Sequence, residues 1–254
     1  MQNTVVIDYL TFELSAEENS YTVVYCEEEA DRVVIPKEIN GLPVMGIGEG
    51  AFRGCLGLTE VIFPEIDIVG ALVSGLSFEI DDSAFRRCIS LTEVTIPDGV
   101  TRIGWAAFAE CFNLRSITIP AGTFVSSYVF TNCGKLEVVS DLSVISEGVF
   151  SDCTALKHLP LGADVTEISE SAFEYCTSLT DVVIPARINR IEALAFEGCY
   201  SLESVRFEEP EGWYLLSSYH PDKEFPLDLT NPEKNAKDLG SMDFDDGVIA
   251  WYRK

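Results

Sequence analysis

The chain has 254 residues, 47% of them apolar, and its 42 Asp and Glu against 17 Lys and Arg give a formal net charge of −25. That length can bury a sizeable core, and that apolar content excludes global disorder. A field of this sign repels nucleic acid and anionic lipid and favours solubility or cationic partners. No apolar run approaches the ~20 residues of a spanning helix, so no membrane insertion is expected.

Residues 1–32 read as a two-stranded cap. The segments 9–14 (YLTFEL) and 21–26 (YTVVYC) flank the polar loop SAEENS. The start of the chain has no basic segment followed by a continuous apolar stretch and does not read as a secretory signal. That leaves a cytoplasmic protein or one whose export signal has been removed. Cys26 stands beside Glu27, Glu28 and Glu29, whose charges raise a thiol pKa, so it makes a poor nucleophile. Further on, GIGEGA (residues 46–51) matches the looser dinucleotide fingerprint G-x-G-x-x-A. No βαβ unit of the needed length surrounds it, and it reads as a turn.

From residue 33 to 207 one pattern recurs. Phe52, Phe85, Phe108, Phe130, Phe150, Phe173 and Phe196 are separated by 33, 23, 22, 20, 23 and 23 residues. Three residues after each Phe comes Cys55, Cys88, Cys111, Cys133, Cys153, Cys176 or Cys199. Three further on stands Leu58, Leu91, Leu114, Leu136, Leu156, Leu179 or Leu202. Five before each Phe stands Ile47, Ile80, Ile103, Val125, Ile145, Ile168 or Ile191. Within a unit, Val182 and Ile184 alternate on a strand that Pro185 ends, because proline has no N–H for the ladder. A second extended piece leads to Ile191. The spacing of Ala172, Phe173 and Cys176 predicts a short helical turn. No unit closes a core alone; stacked units do, each burying its Ile, Phe, Cys and Leu against the next.

Written out, the pattern is IGxxAFxxCxxLxxVxIP. It stands as IGWAAFAECFNLRSITIP (103–120) and ISESAFEYCTSLTDVVIP (168–185). It resembles the repeat of BspA-like leucine-rich repeat proteins, found on bacterial surfaces and in some parasitic protists. The resemblance covers residues 33–207, a half rung plus seven units of about 23 residues. It implies an α/β repeat solenoid: a right-handed leucine-rich-repeat coil with a curved parallel β-sheet, short helical turns, an N-terminal β-hairpin cap and a C-terminal cap. It also implies a cell-surface or secreted location. The partner implied is a protein or cell-surface ligand, met by a monomer, with an edge-to-edge or concave-face dimer as the alternative.

Departures from the pattern are expected to show. Where the general repeat has Asn or Cys this chain has Gly99, Gly122 and Arg187, so no Asn ladder is expected. The unit around Cys133 is short, with Asp141 in an apolar slot and Leu142 where Pro would stand, which predicts an irregular rung. The first unit carries an apolar, glycine-containing insertion over residues 66–78, a contact loop or a lid on its own rung. Residues 208–254 lose the repeat and read as a C-terminal cap. TNPEKNAKDLG is a short helix with Asn231 as N-cap, Pro232 at its first position and Gly240 at its end. Trp213, Tyr214, Trp251 and Tyr252 pack this tail over the last rung. The caps and repeats form one continuous domain.

Catalytic and metal chemistry find little support. The seven repeat cysteines share one inward position and show no C-x₂-C spacing, so they read as a buried, reduced thiol ladder and not as a zinc site. His158 and His220 are the only histidines, and neither is expected beside a nucleophile. DFDDG (243–247) lacks the order and closing Glu of a calcium loop. Adjacent acids such as Asp81 and Asp82 diverge on a strand or loop, so an acidic-residue hydrolase is the least favoured reading. No catalytic residue, cofactor or metal is therefore assigned.

The sheet face of a solenoid is the usual binding surface. The residues five and seven past each Cys should point outward from it. This set supplies the candidate partner-binding residues Glu60, Ile62, Glu93, Thr95, Ser116, Thr118, Val138, His158, Asp181, Val183 and Arg206, with Ser140, Pro160 and Ser204 in the same slots. Trp105 joins them, as an aromatic in a slot held elsewhere by Glu49, Asp82, Ser127, Glu147, Glu170 and Ala193. The leading expectation is a non-enzymatic protein-interaction or adhesion module. The alternative is a structural scaffold or spacer without a specific ligand.

Overall fold

The computed structural model describes residues 4–217, 225–240 and 248–254. Three strands open the chain: β1 (Thr4–Ile7), β2 (Leu10–Leu14) and β3 (Tyr21–Cys26). The repeats follow with β4 (Arg32–Val34), β5 (Glu38–Ile39), β6 (Leu42–Ile47), β7 (Glu60–Ile62), α1 (Ile68–Ser74), β8 (Phe78–Ile80) and β9 (Glu93–Thr95). They continue through β10 (Val100–Ile103), β11 (Ser116–Thr118), β12 (Phe124–Val125), β13 (Val138–Val139), β14 (Glu167–Ile168), β15 (Asp181–Ile184), β16 (Arg190–Glu192) and β17 (Ser204–Phe207). β18 (Trp213–Ser217), β19 (Phe225–Pro226), α2 (Pro232–Gly240) and β20 (Val248–Arg253) close the chain.

Each unit lays its backbone into three ladders along the stack. The longest is built on the second extended piece. β6, β8, β10 and β12 pair in parallel, with Ile47, Ile80, Ile103 and Val125 in register. The same positions continue as a bridge between Ile145 and Ile168 and as the parallel pair β14–β16. The second ladder is the Val-x-Ile strand. It is not one sheet but three separate pieces: β4–β7, β9–β11–β13 and β15–β17.

The third ladder replaces the helix that the Phe–Cys spacing predicts. Residues two before and two after each repeat Phe are left-handed, with φ between 52° and 79°, as in Ser83 and Arg87, Ala106 and Glu110, or Ser171 and Tyr175. The segment is therefore a run of tandem turns. Alternate N–H groups close the turns internally, as Arg86 N–H to Ser83 O and Cys88 N–H to Phe85 O. The others donate along the stack: Ser83, Phe85 and Arg87 to the carbonyls of Trp105, Ala107 and Ala109. An α-helix would spend all these donors within itself and leave neighbouring rungs unbonded at this corner.

Inside the ladders lies one hydrophobic cluster running from Leu10 to Trp251. The seven repeat Phe rings stack face to face, with centroids 4.7–6.0 Å apart and planes within 22°. All eight cysteines are buried free thiols. From Cys88 on, each repeat thiol donates to the Phe carbonyl of the preceding rung at 3.0–3.2 Å, as Cys153 Sγ does to Phe130 O. Burial raises these thiols, Cys111 and Cys199 up to about 12.

The ends are covered ladder by ladder. β3 pairs in parallel with β6, and Cys26 N–H donates to Ala51 O. At the far end β20 pairs antiparallel with β16. The α2 helix starts at its Asn231 cap, which accepts from Lys234 N–H at 3.0 Å. Its buried Asn235 donates to Val205 O on β17, and its Gly240 carbonyl receives Gly198 N–H from the last tandem turn. Trp213 and Trp251 are buried against Phe207, at ring distances of 5.0 and 6.3 Å. Tyr214 and Tyr252 are half-buried and face each other at 5.8 Å. Among the described residues these contacts cover the long ladder and the tandem turns at both ends and β17 at the far end, while β4 opens the Val-x-Ile ladder with no strand on its outer side.

The short unit is irregular, as its sequence suggests. β13 has two residues, and Ser140 Oγ takes over the next ladder position by bonding both Ile119 N–H and Ile119 O. The chain then shifts by one, so that Asp141 is exposed and Leu142 is buried in its place, bridged to Leu161.

Candidate interaction surface

Alternation sets which strand residues reach solvent. In β15, Val182 and Ile184 are buried while Asp181 and Val183 are exposed. Register then aligns the exposed residues of neighbouring rungs. Arg32 lies beside Glu60, Glu93 beside Ser116 and Ser116 beside Val138. One step along, Val34 lies beside Ile62 and Thr95 beside Thr118. Asp181 and Val183 lie beside Ser204 and Arg206.

The candidates thus fall into three patches matching the three ladder pieces. Glu60 is held by Arg32 in an exposed ion pair, and Ile62 is half-buried. Glu93, Thr95, Thr118 and Val138 are exposed and Ser116 partly so. His158 is exposed in the gap between β13 and β15, where no strand forms. Pro160 is buried, against its outward expectation, because its carbonyl receives Leu142 N–H in the shifted rung. Trp105 does not join this face. It lies two residues past β10, where the long ladder turns into the tandem turns, 45% exposed and edge-on to Tyr128 at 6.3 Å. Asp82 accepts its N–H at 2.8 Å.

Three features escaped the sequence reading. On the long ladder Phe124 is 47% exposed, in a slot held in neighbouring rungs by Glu79 and Arg102. Val144 follows in the next rung, 38% exposed. Both could have been found by the reasoning that singled out Trp105, an apolar group in a charged slot. The third is α1, formed by the insertion, capped by Asp67 and ended at left-handed Gly75. None of its residues is fully buried, and Leu72 and Val73 are 75% and 84% exposed, while Ile66 just before it packs against the core.

Electrostatics divide the acidic groups in two. Asp81, Asp82 and Glu79 surround Arg102, whose guanidinium lies 3.0 Å from Asp82 and 3.4 Å from Asp81. Glu147, Glu170 and Glu192 gather around a second hollow. Burial, then Glu147, Glu192 and Glu174, hold the Glu170 carboxyl above the ordinary value. Tyr128 donates its hydroxyl to Glu147, which pushes the phenol up to about 12. Among the described residues no group of His, Cys, Asp and Glu could hold a metal ion, and no helix is long and apolar enough to cross a membrane. His220 and the 243–247 acidic run lie outside the described residues.

A model of the BspA type leucine rich repeat region matches residues 78–203 in six copies. Among solved structures the chain is similar to a T. pallidum leucine-rich repeat protein at 22% identity, over 93% of this chain and 95% of that one, with a TM-score of 0.51. It is also similar to a Bacteroides ovatus leucine-rich repeat protein, at 22% identity over 81% of this chain and 71% of that one, TM-score 0.43. A leucine-rich cell surface protein of Faecalibacterium prausnitzii matches at 18% identity over 82% and 95% of the two chains, TM-score 0.34. No curated protein matches. The recurring Ile, Phe, Cys and Leu, their stacked ladders and the matched repeat model agree: this chain belongs to the BspA-type leucine-rich repeat family.

Proposed function

We propose that the protein is a non-enzymatic protein-interaction module acting at a cell surface, and that it binds through the exposed rows of the Val-x-Ile strands. Leucine-rich repeats of this family are generally interaction modules, and that class is the coarse statement the fold supports. One observation carries the finer reading. Every unit spends its Ile, Phe, Cys and Leu on the core, whereas the exposed strand residues change from rung to rung, from Glu93 through Ser116 to Val138. Side chains freed of packing duty on a rigid, aligned surface are the ones a partner can read.

The test is capture of surface proteins by immobilised protein, compared with its Thr118→Arg, Val183→Asp and Trp105→Ala variants. A captured protein should be lost from Thr118→Arg or Val183→Asp and kept by Trp105→Ala, since Trp105 lies off this face. Unchanged capture in both strand variants overturns the face, and the scaffold reading then takes its place.

A further inference from the structure

We propose that the solenoid carries a hinge between the rungs of Phe130 and Phe150, where its two ends tilt against each other about the tandem turns. Every other step between repeat rungs keeps a strand pair or a bridge in the long ladder, in the Val-x-Ile ladder or in both. This step keeps neither. The sheet that opens at β1 ends at β12, the β9–β11–β13 sheet ends at β13, and the sheets beyond begin afresh at β14 and β15. The bridge that does cross the step, Leu142 with Leu161, lies at the corner beyond both ladders.

Two residues cause the double break. On the long ladder Asp81, Gly104 and Ser126 each donate a backbone N–H to the Ile of the preceding rung. At the next step the Ser146 hydroxyl takes that role, donating to Val125 O at 2.6 Å. On the Val-x-Ile ladder Ser140 N–H donates to Ile117 O at 3.3 Å. One rung on, the same slot holds Pro160, which has no N–H to give Val139 O. A hydroxyl follows relative movement of two rungs by turning about χ1, and a missing donor resists nothing; a backbone ladder permits neither.

What remains at this step is a spine and a latch. The spine is the tandem-turn ladder, unbroken here: Tyr128, Phe130 and Asn132 N–H donate to Glu147, Val149 and Ser151 O at 2.8–3.0 Å. Beside it the Cys153 thiol bonds Phe130 O and the two Phe rings stack at 5.5 Å. The latch closes the opposite corner. Leu142 N–H donates to Pro160 O at 3.0 Å, and Leu142 O accepts Gly162 N–H at 2.9 Å. Only glycine allows this clasp, since a Cβ at residue 162 would meet Leu142 O at 2.4 Å. A continuous spine facing two latch bonds, with two unladdered walls between them, lets the step open like a book.

Opening swings the β15–β17 row, with Val183 and Arg206, away from the β9–β11–β13 row, with Thr95 and Thr118. A ligand that touched both rows would select one tilt. The hinge itself requires no ligand, so it and the proposed binding face fail separately.

The test is pulsed electron–electron spin resonance on paired nitroxide labels at exposed strand positions, the native thiols being buried. Thr95→Cys/Arg206→Cys spans the step, and Val34→Cys/Val138→Cys lies wholly to one side of it. The spanning pair should give the broader distance distribution. Gly162→Ala, which forces the latch apart, should broaden it further, about twofold or more, and leave the one-sided pair unchanged. Pro160→Ser, which restores the missing donor, should narrow the spanning distribution, a readout that does not depend on the Gly162→Ala variant folding. A spanning distribution as narrow as the one-sided one and unmoved by Pro160→Ser overturns the hinge. Equal broadening of both pairs by Gly162→Ala overturns it too, since that is general loosening of the stack.

Discussion

The Cys176 thiol donates to the carbonyl oxygen of Phe150, one rung earlier, at 3.2 Å. The same oxygen accepts the Cys153 N–H at 3.0 Å, so both of its lone pairs are used inside a core that water does not reach. Cysteine at this position is therefore a small apolar group that also carries a donor. Cys176→Ala should cost about 1–3 kcal/mol through the cavity and the orphaned lone pair. Cys176→Val should destabilise too, although it restores volume. Urea unfolding of the two variants checks this; a neutral Val variant would reduce the role of the thiol to packing.

Burial should keep the ladder chemically silent. With Cys111 and Cys199 pushed up to about 12, the thiolate fraction at pH 8 is minute, and a thiol reagent must wait for opening of the rung. Labelling should be slow in the folded protein and complete in denaturant. Fast native labelling at either position would contradict the burial.

The tandem turns predict an unusual glycine cost. Gly148 has φ 57°, and a Cβ there would meet the Tyr128 ring at 2.3 Å. Gly148→Ala should lower stability by about 1–3 kcal/mol, from left-handed strain and displacement of the ring. Ser171→Gly, at φ 55°, should stabilise by about 0.5–1 kcal/mol. Thermal unfolding midpoints moving in opposite directions are the expected result.

At Leu142 the repeat consensus should fail. Four other units have Pro at this place (Pro64, Pro97, Pro120 and Pro185), yet the Leu142 N–H donates to Pro160 O at 3.0 Å, and its side chain is buried. Leu142→Pro removes the donor and the packing together and should cost about 3 kcal/mol or more, measured by urea unfolding.

Glu170 sets the sign of a pH effect. Its carboxyl is raised in the fold, by burial first and then by Glu147, Glu192 and Glu174, so just above the ordinary carboxylate range the folded state holds more proton than the unfolded chain. Its contribution to stability is therefore fully present below the unfolded pKa and lost as pH rises through the folded one. Unfolding followed from pH 7 downward should show stability gained in that window, with a smaller gain in Glu170→Gln. An equal gain in both would assign the effect to the rest of the acidic surface.

The buried part of the molecule was legible because it repeats: Ile, Phe, Cys and Leu at constant offsets reveal a stack before any coordinate is known. The α2 helix was legible through Asn231, Pro232 and Gly240. The corner after Ile was not, since a Phe-x-x-Cys spacing suits a helical turn and a tandem turn equally. Only backbone angle separates them, and Ser83, Arg87, Ala106 and Tyr175 give no outward sign of a left-handed φ. Phe124 and Val144 were missed for a related reason: the outward face was sought on the Val-x-Ile strand, while the longest ladder ran along the other extended piece. The exposure of α1 was not legible either, because apolar spacing does not say whether anything covers it.

The insertion carries one more consequence. From Ile47 to Leu58, and from each counterpart to its Leu, the count of residues is the same in all seven units, and every difference in unit length falls between that Leu and the next Ile or Val. The longest unit, which holds α1, separates Phe52 from Phe85 by 33 residues, yet these two rings are the closest pair in the stack at 4.7 Å. That corner is a place where the chain can grow without the interior registering it. Novelty in such a protein can arise by lengthening a corner as readily as by exchanging a side chain, and α1 is an instance already in place.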